Sequence, residues 1–163
     1  IALFDKESFE LNPETLDIHK LLIELKESFE IKTNKQSGDF ALFLDAQQFI
    51  ISADRMHFYN VLRNIIDNGI KFSNDAFRIK VTTESTHNTL SISISDRGIG
   101  MSKDTQSKIF TRFYRKTEGD IHTTKGFGLG LAIVAKIVSW HQGSCTISNS
   151  ELGGAKFTIY LPK

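Results

Sequence analysis

Four short motifs follow one another in a fixed order along this chain, and they constrain its fold more than any other feature of the sequence. They are the asparagine-bearing segment Asn64–Ser73, the glycine turn Asp96–Gly100, the aromatic segment Phe110–Tyr114 and the glycine-rich segment Gly126–Leu131. Any one of them alone is weak evidence, because short glycine patterns usually mark ordinary turns. Their combination predicts a single site that one fold assembles from distant parts of the chain.

The size of the chain favours one domain. A length of 163 residues is enough for one well-packed core and too short for two domains of ordinary size, so we expect a single domain over residues 1–163. Lys and Arg number 20 against 19 Asp and Glu, and this near balance argues against nucleic acid as the main ligand. The start at Ile1 rather than Met is typical of a piece of a longer protein.

The sequence predicts neither a signal peptide nor direct membrane contact from this segment. Its most apolar stretch, Leu129–Trp140, is shorter than the roughly 20 residues that a bilayer requires. The single cysteine, Cys145, cannot form an intrachain disulfide, and we interpret it as a buried, unreactive thiol in a reducing compartment. We therefore expect a cytoplasmic location for this segment, which leaves open whether the parent protein carries a membrane anchor.

Hydrophobic periodicity predicts an α+β fold, a two-layer sandwich in which three main helices pack on one face of a mixed, mainly antiparallel sheet. The predicted helices are Pro13–Ile31, Asp54–Phe72 and Gly128–His141. The predicted strands are Glu7–Leu11, Phe40–Leu44, Phe49–Ile51, Phe77–Glu84, Thr89–Asp96, Ser144–Asn149 and Lys156–Leu161. Asn12 and Asp54 are expected to cap the first two helices. Ser102–Tyr114 is short and mixed, and Arg115–Lys125 is expected to be a loop.

Asparagines recur on the second predicted helix. Asn60, Asn64 and Asn68 are spaced by four residues, and Lys71 follows on a neighbouring face. Asparagine costs roughly half a kcal/mol relative to alanine in a helix, so a merely solvated face would more cheaply carry other polar residues. That solvated face remains the better interpretation for Asn60. For Asn64 and Asn68 we expect carboxamide oxygens that ligate Mg²⁺ beside phosphate oxygens, and for Lys71 neutralisation of phosphate charge.

The glycine turn has a carboxylate at its start. Asp96 ends a predicted strand, and Gly98 and Gly100 allow the backbone to approach a flat ligand closely. A carboxylate at this point can accept a hydrogen bond from the exocyclic amine of adenine. An ordinary Asp-x-Gly turn is the alternative when the motif is taken alone.

The glycine-rich segment precedes the third predicted helix. Its three glycines, Gly126, Gly128 and Gly130, lead into a first turn whose amides are free to bind anionic oxygens. Basic residues before it could also reach phosphate, although a solvated surface charge is the more ordinary role for each; they are Arg112, Arg115, Lys116 and Lys125. In combination, the motifs predict a site for Mg²⁺ and ATP.

These motifs resemble those of the catalytic and ATP-binding domain of two-component sensor histidine kinases, within the wider group of ATPases that includes the DNA gyrase B subunit, MutL and the heat-shock chaperones. The resemblance covers essentially the whole chain and includes Gly153–Phe157 and Leu161–Pro162. It implies that Asn68 and Asn64 hold Mg²⁺, that they act in catalysis with Lys71, and that residues 111–127 form a lid over ATP. The nucleotide-binding residues it implies are Asn64, Asn68, Lys71, Phe72, Asp96, Gly98, Gly100, Phe110, Arg112, Gly126, Gly128, Leu129, Gly130 and Leu131.

Gly69 and the basic, threonine-rich lid depart from the family pattern, and the family's phosphoacceptor histidine is absent from this sequence. Gly69 stands where the family usually has alanine, which keeps the position small but loosens the helix by about 1 kcal/mol. No histidine has the setting of the family's phosphoacceptor, in which an acidic residue follows the histidine; the five candidates are His19, His57, His87, His122 and His141. The resemblance therefore implies that this domain transfers the γ-phosphate of ATP to a histidine on a separate dimerisation domain of the same protein, with a response regulator downstream.

Two other functions remain as alternatives. One is a clamp-type ATPase that hydrolyses ATP with water. Its relatives have a glutamate base at the position of Asn64 and an aspartate at the position of Lys71, and a carboxamide cannot accept a proton. The other is a nucleotide-binding regulatory module without turnover, against which the complete motifs argue.

Overall fold

The structure is a computed structural model that describes residues 10–33, 38–73, 76–114 and 129–163. Its helices are α1 (Ile18–Thr33), α2 (Arg55–Lys71), α3 (Lys103–Lys108) and α4 (Gly130–Trp140). Its strands are β1 (Glu14–Asp17), β2 (Gly38–Leu44), β3 (Ile50–Ala53), β4 (Phe77–Ser85), β5 (Thr89–Asp96), β6 (Ser144–Asn149) and β7 (Ala155–Pro162).

Five strands form the main sheet in the order β2-β4-β5-β7-β6. β2 runs parallel to β4, and every other pair of neighbours is antiparallel. β1 and β3 pair antiparallel and form a separate two-stranded sheet. This architecture confirms the predicted α+β fold with a mixed, mainly antiparallel sheet.

One face of the main sheet packs against the helices. In β5 the alternate residues Leu90, Ile92 and Ile94 are buried, whereas the serines between them are half-buried, as expected for a strand with a single face against the core. The helices contribute buried apolar side chains to the same core, among them Leu22 and Leu25 of α1, Phe58, Leu62 and Ile65 of α2, and Val134 and Val138 of α4. The half-buried thiol of Cys145 has a pKa raised by burial, which fits an unreactive cysteine.

The first helix begins later than predicted. Residues Glu14–Asp17 form β1, which pairs with Ile50–Ala53, and α1 starts only at Ile18. Its first turn is capped by Asp17, whose Oδ1 accepts a hydrogen bond from Lys20 N at 2.9 Å. The prediction that Asn12 is the cap was wrong, because strand pairing holds the intervening residues extended. The strand predicted at Glu7–Leu11 lies mostly outside the described residues.

The start of α2 is tied to the end of α4. Oδ1 of Asp54 accepts a hydrogen bond from His57 N at 3.0 Å, which confirms the predicted cap. The Asp54 N–H donates to Nε2 of His141 at 3.0 Å, and Nδ1 of His141 faces the carbonyl oxygen of Ile137 at 2.8 Å. Neutral His141 therefore carries its proton on Nδ1. These contacts fix the two helices that bear the predicted Asn64 and Gly130 site residues.

Within the part of the chain that the structure describes, no helix combines the length and the apolar character needed to cross a membrane.

Candidate functional site

The asparagine face of α2 lies beside the first residue of α4. A Cβ atom built on Gly130 would lie 3.6 Å from Oδ1 of Asn64, so that carboxamide faces the start of α4 across a gap of about one methyl group. Asn64 and Asn68 are both half-buried and lie one turn apart on the same helix face, whereas Asn60 is exposed. The structure thus brings together two motifs separated by more than sixty residues in the sequence.

The C-terminal end of α2 carries Lys71 and Phe72. Both side chains are exposed, with 40% of Phe72 accessible, and Nζ of Lys71 lies 5.5 Å from the centroid of the Phe72 ring. The next residue, Ser73, forms an isolated antiparallel bridge with Gly98. The end of the helix is therefore joined directly to the glycine turn that follows Asp96.

Gly69 allows α2 to approach the end of β5 closely. A Cβ atom at position 69 would come within 2.7 Å of Cδ1 of Ile79 and 3.0 Å of Cβ of Asp96, which is tighter than ordinary side-chain packing permits. The missing methyl group thus places Asp96 directly beside the helix that bears the asparagines. This contact gives Gly69 a packing role in addition to its cost in helix propensity.

The Asp96 carboxylate is oriented by two backbone amides. The N–H groups of Gly98 and Ala155 donate to its Oδ1 at 2.8 and 2.9 Å. Among the described residues no further hydrogen bond reaches this side chain, so Oδ2 keeps its accepting capacity. Asp96 is only 8% exposed, and burial raises its pKa although the two hydrogen bonds oppose the shift.

Gly154 leaves room for this arrangement. A Cβ atom at position 154 would lie 1.9 Å from Oδ1 of Asp96 and 2.3 Å from the backbone nitrogen of Gly98, so a side chain here would displace the carboxylate or the turn. Gly153 has a φ of +98° with no atom within 4 Å of its added Cβ. The two adjacent glycines therefore serve different purposes, since one gives space and the other gives a left-handed backbone.

The aromatic segment begins against the sheet. The ring of Phe110 is half-buried and meets the ring of Phe157 edge-to-face, with centroids 6.3 Å apart. Phe110 follows α3, which is capped by Ser102: the Oγ of this serine accepts a hydrogen bond from Thr105 N at 3.2 Å. Arg112 is exposed. Phe110 thus holds the start of the aromatic segment against β7.

The glycine-rich segment is described only from residue 129 onwards, so Gly126, Gly128 and most of the predicted lid at 111–127 lie outside the described residues. Leu129 precedes α4 and makes no capping hydrogen bond through its side chain, and the first turn holds no acidic residue. Leu129 and Gly130 are half-buried, and half-buried Leu131 packs against the core. The α4 terminus beside Asn64 thus has the features that favour an anionic ligand.

Comparison with known proteins agrees with this geometry. Residues 53–163 match the family described as histidine kinase-, DNA gyrase B- and HSP90-like ATPases. The chain belongs to this family. The matched residues include the whole of α2, the Asp96 turn, α4 and the last two strands of the sheet.

Relatives within the ATPase family are sensor kinases. The chain is 36% identical over 164 residues to the sensor protein RprX of Bacteroides fragilis, an alignment that covers 99% of this chain and 32% of RprX. The chain therefore spans about a third of the length of that relative. The catalytic domain of histidine kinase ThkA superposes with a TM-score of 0.81 at 30% identity, over 95% of this chain and 99% of that domain.

Two solved structures related to this ATPase domain contain a ligand or a partner. Full-length ShkA in complex with AMPPNP has a TM-score of 0.83 at 26% identity and matches 99% of this chain and 33% of ShkA. ThkA in complex with the response regulator protein TrrA has a TM-score of 0.82 at 26% identity, over 99% of this chain and 45% of that chain.

The oxygen donors of the candidate site are of a type that fits Mg²⁺ together with phosphate oxygens. Among the described residues, no group of three or more His, Cys, Asp or Glu side chains could hold a metal ion. The carboxamides of Asn64 and Asn68 are neutral oxygen donors of the hard type that Mg²⁺ prefers. They fit a metal whose remaining ligands are water and phosphate oxygens.

Sequence reasoning missed one functional group in this site, the N–H of Ala155 that holds Asp96. The two residues are 59 positions apart, and a backbone amide leaves no mark in the residue types. The only signal was the pair Gly153–Gly154 just before it, which the family resemblance already includes.

Proposed function

We propose that this domain binds Mg²⁺-ATP between α2, the Asp96 turn and the start of α4, and that it transfers the γ-phosphate to a histidine on a separate dimerisation domain of its parent protein. A response regulator would then accept the phosphate from that histidine. The observation that carries the proposal is the proximity of the Asn64 carboxamide to Gly130, since it brings a metal-ligand type beside a helix N-terminus suited to phosphate.

The adenine end of the site would lie at Asp96. Because its Oδ1 already accepts two backbone hydrogen bonds, Oδ2 is the atom left to accept one from the exocyclic amine of adenine. Gly98 and Gly100 would let the base approach the backbone, and the exposed ring of Phe72 offers an apolar neighbour at the end of α2. Asn64 and Gly69, the residue that packs against Asp96, are five residues apart on α2, which is about 7.5 Å along the helix axis. This separation suits a ligand that is aromatic at one end and anionic at the other.

Phosphate would bind beside the asparagines of α2, on the side of the helix that faces the start of α4. Asn68 and Asn64 would hold Mg²⁺, which neutralises the charge that develops on the transferring phosphoryl group. The exposed ammonium group of Lys71, together with Leu129, Gly130 and Leu131 at the first turn of α4, would contact phosphate oxygens. Gly126, Gly128, Phe110 and Arg112 complete the proposed binding set.

A kinase is favoured over a hydrolase by the chemistry of position 64. A general base must accept a proton from the attacking water, and the carboxamide of Asn64 cannot do so. A histidine held in line by another domain needs no such base, because positioning supplies most of the rate of phosphoryl transfer. Support for these partners comes from ThkA, which has been solved with a response regulator, and from ShkA, which has been solved with AMPPNP. We place this activity in the cytoplasm.

Nucleotide binding is tested by calorimetric titration of the chain with ATP at constant free Mg²⁺. Asn68→Ala removes a proposed metal ligand and should weaken Mg²⁺-dependent ATP binding about tenfold or more. Asn60→Ala is the matched control, since Asn60 is an exposed asparagine on the same helix. Equal affinities of these two variants would exclude the assignment of Asn68.

Phosphotransfer is tested by mixing this chain with the separately expressed dimerisation domain of its parent protein and γ-labelled ATP. Label should appear on a histidine of that domain as an acid-labile, base-stable phosphoramidate, and Asn68→Ala should abolish it. The chain alone should neither label itself nor turn over more than a trace of ATP. Rapid hydrolysis without the partner would favour the clamp-type ATPases, and binding without transfer would favour a regulatory module.

A further inference from the structure

The segment between Asp96 and Phe110 crosses the adenine side of the proposed site and is held at both of its ends. At the first end, Gly98 bridges to Ser73 and donates to Oδ1 of Asp96. At the far end, the Phe110 ring packs on Phe157. The position of the intervening backbone decides where the base can lie.

Asn149 holds the middle of this segment. Its Oδ1 accepts hydrogen bonds from the backbone N–H of Met101 and from Nε2 of Gln106, both at 3.2 Å. Nε2 of Gln106 also donates to the carbonyl oxygen of Met101 at 3.1 Å, which closes a small ring of hydrogen bonds. Because the Met101 N–H can only donate, the Asn149 atom that faces it must be the oxygen.

The place of Asn149 in the sheet links this contact to Asp96. Asn149 ends β6 and is the antiparallel partner of Ala155, the residue whose N–H orients Asp96. The cross-strand pair Asn149–Ala155 therefore fixes the glycine turn from two sides. The Ala155 N–H orients Asp96, and the Asn149 side-chain oxygen holds the backbone of Met101. Between these contacts lies Gly100, with a φ of +67° and an added Cβ that would lie 3.2 Å from the carbonyl oxygen of Gly153.

We propose that Asn149 is a positioning residue for nucleotide binding: its carboxamide oxygen fixes the backbone after Gly100 and thereby the adenine side of the site. This inference rests on the proposed function. Asn149 itself need not touch the nucleotide, since it acts through Met101 and Gln106.

The test compares Asn149→Ala with Asn149→Asp. Alanine removes the acceptor, whereas aspartate keeps an oxygen at the same place and should restore binding. Since a net hydrogen bond is worth about 0.5–1.5 kcal/mol, Asn149→Ala should weaken ATP affinity about two- to twelvefold. Ser148→Ala, at an exposed neighbouring position of β6, is the control and should bind as the parent does.

Further measurements separate positioning from a loss of fold. In the reconstituted phosphotransfer reaction, Asn149→Ala should raise the KM for ATP with kcat unchanged, because the bound state and the transition state lose the same contact. In a double-mutant cycle, Gln106→Ala should add little to Asn149→Ala. The amide proton of Met101 should exchange faster in Asn149→Ala and at the parent rate in Asn149→Asp.

The outcomes distinguish the two proposals. If the parent chain does not bind ATP, the proposed function fails. If the parent binds ATP and Asn149→Ala binds it equally well, or if Asn149→Asp is as weak as Asn149→Ala, the positioning role is wrong while the proposed function stands.

Discussion

Gly69 and Asp96 meet at a distance that a methyl group would crowd: an added Cβ on Gly69 would lie 3.0 Å from the Cβ of Asp96 and 2.7 Å from Cδ1 of Ile79. Gly69→Ala should gain up to about 1 kcal/mol of helix propensity, but it pushes α2 away from the carboxylate. We expect weaker ATP binding from this variant. Adding Ile79→Val removes the closer obstacle and should recover part of the affinity, as titration of both variants would reveal. Unchanged affinity of Gly69→Ala would contradict this account.

The raised pKa of Asp96 predicts the pH dependence of nucleotide binding. Burial favours the protonated form, so the folded-state pKa exceeds the ordinary value of 3.8. A protonated Oδ2 is a hydrogen-bond donor, as the exocyclic amine of adenine is, so the two groups could no longer bond. ATP affinity should therefore fall as the pH drops through this raised pKa. The unfolded chain releases that proton at lower pH, so the contribution of Asp96 to the stability of the unliganded domain decreases over the same window as the pH rises.

The variant that checks this dependence is Asp96→Asn, with ATP titrations from pH 4.5 to 7.5. The asparagine oxygen can still accept from Gly98 and Ala155, but an amide nitrogen replaces Oδ2. The affinity of Asp96→Asn for ATP should be low at every pH, and the decrease in affinity at low pH should disappear. If the affinity of Asp96→Asn still decreased at low pH, a group other than Asp96 would be responsible for the pH dependence.

Gly154 and Gly153 form a natural pair for comparison. Gly154→Ala places a methyl group 1.9 Å from Oδ1 of Asp96, so it should reduce ATP affinity about tenfold or more and also destabilise the fold. Gly153→Ala meets no atom within 4 Å and costs only backbone strain, of order 1 kcal/mol. Thermal unfolding and ATP titration of the two variants should show a binding defect confined to Gly154→Ala. Equal defects would mean that the turn acts only through its backbone conformation.

The buried carboxylate of Asp54 should contribute to stability above its pKa. Desolvation raises that pKa, but the hydrogen bonds from His57 N and Asn12 N lower it by more, so the net pKa lies below 3.8. Because the folded pKa is depressed, the stabilisation is complete above 3.8 and is lost as the pH falls through the folded value. Asp54→Ala should cost about 2 kcal/mol at pH 7 through the lost cap and the unpaired amides.

Denaturant unfolding between pH 3 and pH 7 measures this contribution. Asp54→Asn is the informative control, since it keeps one acceptor for His57 N but lacks the charge and the second oxygen that serves Asn12 N. It should lose about half as much stability as Asp54→Ala. If Asp54→Ala were as stable as the parent at neutral pH, the cap would contribute nothing to the stability of the domain.

Sequence reasoning succeeded where the decisive interactions are local. The Asp54 cap was predicted because its partner, His57 N, lies three residues away, and the strand Thr89–Asp96 was predicted because its alternation is complete. α3 had a local signal too, in Ser102 three residues before Thr105, but its short length concealed it.

Some features could not be predicted from the sequence because they depend on pairing between distant residues. Residues Glu14–Asp17 follow a proline and suggested a helix start, yet they form a strand because Ile50–Ala53 supplies its partner. Asn149 looked like an ordinary strand end, since its partners Met101 and Gln106 lie 48 and 43 residues away. The motifs predict which residues form the site, whereas the contacts that orient Asp96 and its turn come from Ala155 and Asn149, whose partners are distant in the sequence.

The order of strands in the sheet also bears on how the domain folds. β4 and β5 are joined by a short turn and can pair early, whereas β7 must pair with β5 across a far longer stretch of chain. Long loops close late because their entropy must be overcome before the contacts form. Asp96 therefore receives the Ala155 amide, 59 residues away, only when the last ladder closes. Affinity for nucleotide would then appear at the final step of folding, so a partly folded chain would not sequester ATP.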